Sequence, residues 1–473
     1  MQPIDCGDLS LSHNKSSKQE ALFHAVREKI VSGLWPKEGK LPSSRKLAEE
    51  LSVSRNTVTL VYEQLVAEGY IHSRRGSGFF VSVDLPEQFL GINKIDAKPE
   101  RDAIATRINA PFAPGVPDLQ KFPFMKWQKM VQKHMLRPIL LGNQNIQGDK
   151  ALRAALADYL SSSRSVKCHP GRIIITSGAQ QALSIAAMAT LHLSDSILIE
   201  QPGYTQIRKV IDLLKLNERP LHVEPKEGID IDGVIASDAK ALYVTPSNQY
   251  PMGTTLDTEQ RLKLIEWSKK NRSWIIEDDY DSEFQFAHRP YTSLQGLAGQ
   301  LDRDARVIYV GSFSKVMFNG LRIGYMVVPD SLVARCLEVK DALSGDTPSH
   351  VQAALADFIS EGHLLRHIRM MRRLYKQKYE LMVSAVKRHF GDLVDIISQP
   401  AGLHITLKWH AGVDENVFVE RAKEVEIIVR ALNYYERKDA IQRDWSGVVL
   451  GFGNIAIEDI DSRMADLAQL FQD

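Results

Sequence analysis

Val307-Ile308-Tyr309-Val310-Gly311-Ser312-Phe313-Ser314-Lys315, with Arg322 seven residues further on, decides how this 473-residue chain is read. Its first four residues form the continuous apolar run required of a strand buried on both faces. A lysine held just beyond such a strand, flanked by hydroxyls and followed by an arginine, suits a carbonyl compound that also carries a phosphate. Once deprotonated, the Lys315 amine can form a Schiff base, while Ser312, Ser314 and Arg322 supply phosphate donors.

Around this run, from about Leu152 onward, short apolar runs alternate with helical segments. Candidate strands are Ile173 to Ile175, Ile197 to Ile199, Leu242 to Val244, Trp274 to Ile276, Val307 to Val310 and Tyr325 to Val328. The alternation predicts a mostly parallel sheet covered by helices on both faces, with ligands beyond the carboxyl ends of the strands. Three further motifs fall at such ends. Thr176-Ser177-Gly178-Ala179-Gln180-Gln181 reads as a strand-turn-helix whose small residues let backbone amides approach a phosphate. Gln201-Pro202-Gly203-Tyr204 offers a ring for a planar ligand, although Tyr204 alone reads as a packing residue. Glu277-Asp278-Asp279-Tyr280-Asp281 gathers carboxylates at a cost, unless a cation such as a protonated pyridine nitrogen balances them. By itself that run would be a solvated acidic loop or a metal site.

The first eighty residues follow other rules. Leu22, Ala25, Val26 and Ile30 recur at helical spacing, and Gly33 with Pro36 ends that helix. Ser43 is a good N-cap for a second helix carrying Leu47, Ala48 and Leu51. After Ser52-Val53-Ser54, a third helix aligns Val58, Val61, Tyr62, Leu65 and Val66 in one stripe, leaving Arg55, Asn56 and Thr57 at its exposed start. A helix-turn-helix presents its base-reading side chains to the major groove from that position. Two short strands then flank Arg74-Arg75-Gly76-Ser77-Gly78, the shape of a wing lying on a sugar-phosphate backbone. Lys15 to Val81 holds four more basic than acidic side chains, a local excess that the whole-chain net charge of +1 conceals.

Between these parts the periodicity dissolves. The chain divides into a reader over 15–82, a flexible linker over 83–107 and a ligand-binding body over 108–473. Proline-punctuated and charged, the linker has a reach of roughly 25–30 Å. Pro111 to Phe124 reads as an ordered, extended entry arm. Cys6, Cys168 and Cys336 are too few and too scattered for a disulfide framework or a zinc site. Met1 to Asp8 lacks the features of a signal peptide, and Leu183 to Leu193 is too short to cross a bilayer. A cytoplasmic protein with no metal and no membrane partner is expected.

Leu41-Pro42-Ser43-Ser44-Arg45-x-Leu47-Ala48, Val53-Ser54-Arg55-Asn56-Thr57-Val58 and Gly69-Tyr70-Ile71 with the glycine-rich wing closely resemble the GntR family of winged-helix repressors. That resemblance implies contacts to double-stranded DNA by Arg45, Arg55, Thr57 and Gly76; Asn56, Arg74 and Arg75 join them from the residue reading. The four motifs of the body, in their order, resemble fold-type I aminotransferases from about Ala110 to the C-terminus. The implied fold is an α/β PLP-dependent transferase of fold type I with a small C-terminal α+β subdomain, bearing pyridoxal 5'-phosphate (PLP). Lys315 is then the Schiff-base lysine, Asp278 pairs with the pyridine nitrogen, Tyr280 touches the ring oxygen and Tyr204 stacks on the ring. Ala179, Gln180, Ser312, Ser314 and Arg322 hold the phosphate, and Asn248 helps hold the ring. Asp278 is preferred to Asp279 for its two-residue spacing to Tyr280.

The fusion resembles the MocR/GabR regulators, which implies a head-to-tail homodimer that regulates transcription and senses PLP or an amine or amino-acid effector. The alternative is a working aminotransferase tethered to DNA. Two departures speak against efficient turnover. Val449 stands where aminotransferases place the arginine that grips the substrate carboxylate, leaving Arg443, Arg430 or Arg208 as substitutes. Asn143 replaces a tyrosine that would reach the phosphate of the neighbouring subunit.

Overall fold

The structure, a computed structural model, describes Ile4, Cys6, Leu9 and residues 17–83, 110–287, 291–302, 305–439 and 443–472. It falls into two compact units, Met1–Arg101 and Asp102–Asp473. The expected linker lies almost wholly outside the described residues.

In the first unit, helices α1 (Lys18–Val31), α2 (Ser44–Glu50) and α3 (Arg55–Ala67) precede a hairpin of β1 (Ile71–Arg74) and β2 (Gly78–Val81). Each helix begins at a serine whose hydroxyl accepts a backbone N–H of the first turn: Ser17 from Glu20, Ser43 from Lys46 and Ser54 from Thr57. The apolar faces of the helices, closed by Ile71 and Val81, make one core around Leu22, Val26, Leu47, Val58 and Tyr62. Tyr62 is fully buried, and its hydroxyl donates to the Pro42 carbonyl at 2.9 Å, fixing the approach to α2.

The second unit is built on an eight-stranded sheet. Its strands are β3 (Ile173–Thr176), β4 (Ser196–Gln201), β5 (Asn217–Glu224), β6 (Gly228–Ile229), β7 (Ala241–Val244), β8 (Trp274–Asp279), β9 (Val307–Ser312) and β10 (Gly324–Val327). Their order is β3-β10-β9-β8-β7-β4-β5-β6. All six expected strands are present. The central β9-β8-β7-β4-β5 set is parallel, whereas β10 runs antiparallel to both β3 and β9. The segment 313–323 between β9 and β10 is too short for a helical crossover, so the chain must return in the opposite direction. β5 escaped the sequence reading because Asn-Glu-Arg-Pro-Leu-His-Val-Glu is polar and contains a proline. It lies near the sheet edge, where such a strand is tolerated.

A smaller sheet holds β11 (Asp395–Ile396), β12 (His404–Trp409), β13 (Arg430–Ala431) and β14 (Ser446–Gly451), in the order β11-β12-β14-β13. The 28-residue helix His363–Phe390 and the terminal helix Ile460–Gln472 pack with it, burying Met382, Phe390, Leu407, Trp409, Met464 and Phe471 in one core. A gntR-type winged helix-turn-helix and a fold-type I body with a small α+β subdomain are the architecture expected.

Candidate functional site

Beyond the carboxyl ends of the central strands lies a cavity of about 350 Å³. Lys315 projects into it from the turn after β9, and its Nζ donates to the Gly115 carbonyl of the entry arm. Burial lowers the Lys315 ammonium to about 8, opposed by Asp281 and Asp278. An amine so placed sheds its proton far more readily than a surface lysine.

One end of the cavity is a phosphate-sized cup. The helix Ala179–Thr190 starts there, so the unpaired amides of its first turn, at Ala179 and Gln180, face a wall shared with Ser312, Ser314 and Arg322. Gly178 makes the cup possible. Its φ of +97° suits glycine, and a Cβ there would come within 3.4 Å of the Arg322 guanidinium. Arg322 donates to the Ser177 carbonyl at 3.1 Å, which aims it along the same wall.

The floor carries the carboxylates, and their fates differ. Asp279 points behind the sheet, where Arg164 Nε (2.6 Å) and the Tyr309 hydroxyl (2.5 Å) bind it in full burial. Asp278 faces the cavity. Its Oδ2 accepts from the Tyr243 hydroxyl at 2.8 Å, while Oδ1 is buried with no hydrogen-bond partner. Burial pushes Asp278 up to about 7. A bare acceptor at this depth is costly, and a cationic N–H arriving in the cavity would satisfy it. Tyr280 lines the same wall and donates to the Asn248 carbonyl at 3.0 Å; Tyr204 lines it from the start of the helix Thr205–Leu213.

The structure thus brings nine of the ten body residues singled out from the sequence onto one cavity. Asn248 is the exception: it is buried behind the wall and gives its amide to Asp281. Sequence reasoning missed Gly115, Asp281, His404, Tyr250 and Tyr435, which also line the cavity. Asp281 stood in the acidic run without an assigned role; the others come from segments with no motif of their own.

Val449 is fully buried among Ile397, Leu432 and Tyr435, so the usual carboxylate position is apolar core. Of the substitutes, Arg208 is bound to the Tyr435 and Glu200 carbonyls, and Arg443 to Glu415 and Glu436. Both are committed to structure. Arg430 pairs with Val449 across the small sheet and lies 4.9 Å from the ring centre of Tyr434, a cavity-lining residue.

In the first unit Arg55 and Asn56 are exposed at the start of α3, and Thr57 is half-buried with its hydroxyl 2.7 Å from that of Ser54. Arg45 is exposed on α2 beside Glu49. At the wing tip Gly76 has a φ of +76°; Arg75 is exposed, and Arg74 pairs with Glu38.

Residues 18–81 match the bacterial regulatory proteins of the gntR family, and residues 112–442 match aminotransferase class I and II. The chain is 34% identical to the "probable rhizopine catabolism regulatory protein MocR" of Rhizobium meliloti, over 92% of this chain and 90% of that protein. It is 30% identical to the HTH-type pyridoxine biosynthesis transcriptional regulator PdxR of Corynebacterium glutamicum, over 93% of each. Among solved structures, the kynurenine aminotransferase of Pyrococcus horikoshii aligns with a TM-score of 0.70 at 21% identity, over 82% of this chain and 96% of that one. The α-aminoadipate aminotransferase LysN of Thermus thermophilus, solved with N-(5'-phosphopyridoxyl)-L-leucine, aligns equally well at 23% identity, over 77% and 92%. At those identities the likeness shows a shared fold.

Proposed function

Because this chain belongs to the MocR-type transcriptional regulators, a gntR-family DNA reader joined to an aminotransferase class I and II domain, we propose that it regulates transcription by binding PLP, or an amine presented to PLP, in its cavity. The bare Asp278 Oδ1 carries this reading, since it needs a cationic N–H on the same floor that holds Lys315. PLP supplies such a nitrogen, a phosphate for the cup and an aldehyde that reacts with amines. Lys315 is its covalent anchor, Asp278 its ring-nitrogen partner and Tyr204 its stacking ring. Tyr280 and, through Asp281, Asn248 shape the floor, and Ala179, Gln180, Ser312, Ser314 and Arg322 take the phosphate. Arg45, Arg55, Asn56, Thr57, Arg74, Arg75 and Gly76 form the DNA face.

The buried Val449 counts against efficient transamination. An aminotransferase must grip two acids in turn, and losing a buried arginine–carboxylate contact costs about 2–5 kcal/mol. Sensing needs only that the ligand favour one of two states of the protein over the other. The protein is proposed to work as a homodimer, which the exposed apolar residues near Met125 and Leu136 support.

The test adds PLP to the full-length protein while visible absorbance and operator binding are recorded at fixed salt. Expected are a new visible band that Lys315→Ala abolishes, and operator affinity that changes with PLP or with an amine added to it. A wild-type protein without such a band overturns the cofactor reading. Equal affinity for operator and random DNA overturns the regulator reading, and ordinary enzymatic turnover of an amino acid with a keto acid replaces it with the aminotransferase.

A further inference from the structure

The cavity wall carries two cations, Lys315 and Arg322, and two buried carboxylates, Asp278 and Asp281. His404, also on the wall, binds the Pro251 carbonyl through Nε2 at 3.2 Å, and burial depresses it to about 4, so it adds no charge at neutral pH. If the cofactor occupies the site as proposed above, its phosphate engages Arg322 and its ring nitrogen engages Asp278. Lys315 and Asp281 are then the pair that must balance each other.

The surroundings of Asp281 agree. It is 2% exposed, and among the described residues the only side chain donating to it is the neutral amide of Asn248, which reaches both oxygens at 3.1 and 3.2 Å. An amide leaves the charge uncompensated. Tyr280 spends its hydroxyl on the Asn248 carbonyl, Asp279 is held by Arg164, and Glu283 accepts from Tyr159 at 2.7 Å. The small subdomain closes the other side with Gly402, at a φ of +68°. A Cβ there would lie 2.2 Å from Asp281 Oδ2 and 2.4 Å from Asn248 Nδ2. The fold thus keeps a glycine turn against this carboxylate. An ammonium has three N–H groups, so the bond to Gly115 leaves Lys315 Nζ capacity for a carboxylate.

We propose that Asp281 is the proton partner of Lys315: its carboxylate takes the proton that Nζ must lose to react with a carbonyl, and returns it when Nζ is set free. The exchange turns ammonium and carboxylate into amine and carboxylic acid, so the buried pair keeps a net charge of zero throughout. Nothing has to enter or leave the cavity. Burial supports the match, raising Asp281 to about 8 and lowering Lys315 to about 8. A reactive lysine is thereby available at neutral pH without a solvent base.

The inference rests on PLP binding as proposed above, and the test separates the two. PLP-free full-length protein is mixed with PLP from about pH 6 to 9, and the rate of appearance of the visible band is followed beside equilibrium dialysis of PLP. The wild type is expected to load at nearly constant rate across this range. Asp281→Asn should bind PLP in dialysis yet load more slowly, with a rate climbing about tenfold per pH unit as free amine accumulates. Asp281→Glu should restore much of the flat profile. If Asp281→Asn does not fold, Asn248→Ala takes its place; removing that donor should quicken loading at the acid end. A wild-type profile in both foldable variants, with PLP still bound, overturns the proton-partner role alone. A wild type that takes up no PLP overturns the cofactor reading and this inference with it.

Discussion

Asp278 and Asp279 are chemically identical neighbours with opposite work, and pleating explains the difference. Successive residues of a strand face opposite sides, so one carboxylate of β8 meets the cavity and the other the buried layer behind the sheet. Asp278→Asn should therefore weaken PLP binding by tenfold or more, on the scale of about 1.5–3 kcal/mol for a hydrogen bond to a charged group, while the protein stays folded. Asp279→Asn should leave Arg164 buried with an uncompensated charge, lowering stability by about 3–5 kcal/mol. Thermal melts beside PLP titrations check both; equal effects of the two variants on binding would show that the carboxylates are not so divided. The ligand-free protein adds a pH signature. Asp278, raised from 3.8 to about 7, binds more protons folded than unfolded, so its contribution to stability falls as pH rises through that window. Asp278→Asn should flatten this part of the curve. The sequence made the choice legible through the spacing to Tyr280, but it could not show which neighbour Arg164 would neutralise, because those residues lie 115 positions apart.

At the scale of elements, the two arginines of the wing turn are unlike. Arg74, at the end of β1, pairs with Glu38, and its guanidinium lies 4.7 Å from the Phe80 ring centre. Arg75 is exposed at the tip, and among the described residues it forms no ion pair. Arg75→Ala should weaken operator and random DNA alike and reduce the salt dependence of log affinity by about 0.9, the value of one phosphate contact. Arg74→Ala should change that slope by less than half as much, its guanidinium already being shared with Glu38. Affinities measured across a salt series decide this, and identical slopes for the two variants would contradict it. The turn itself was readable from Arg-Arg-Gly-Ser-Gly, as were the caps at Ser43 and Ser54, because local chemistry fixes them. β5 and the antiparallel course of β10 were not readable: a polar edge strand has no apolar signature, and strand direction follows from connection length rather than from the strand's own residues.

At the scale of the whole molecule, one surface calls for a partner. Phe124 and Met125 open the helix Phe124–Met135, and Met135, Leu136, Ile139 and Leu141 follow it; all six are more than half exposed, Leu136 at 88%. Water contact with six large apolar side chains on one short segment is unfavourable, since burying each is worth about 1.5–3 kcal/mol. The segment runs directly into Asn143, which is exposed and does not line the cavity of its own chain. That position, read from the sequence as facing the neighbouring subunit's phosphate, is legible only in an assembly, which is why no cavity residue of this chain replaces it. Met125→Glu with Leu136→Glu would place two carboxylates in the proposed contact, where each must be desolvated without a partner. The double variant should sediment as a monomer at micromolar concentrations where the wild type sediments as a dimer. If the partner completes the phosphate cup, its PLP affinity should fall together with its dimer fraction. An unchanged dimer would move the interface to another face, and a monomer with wild-type PLP affinity would show that each cavity is complete within one chain.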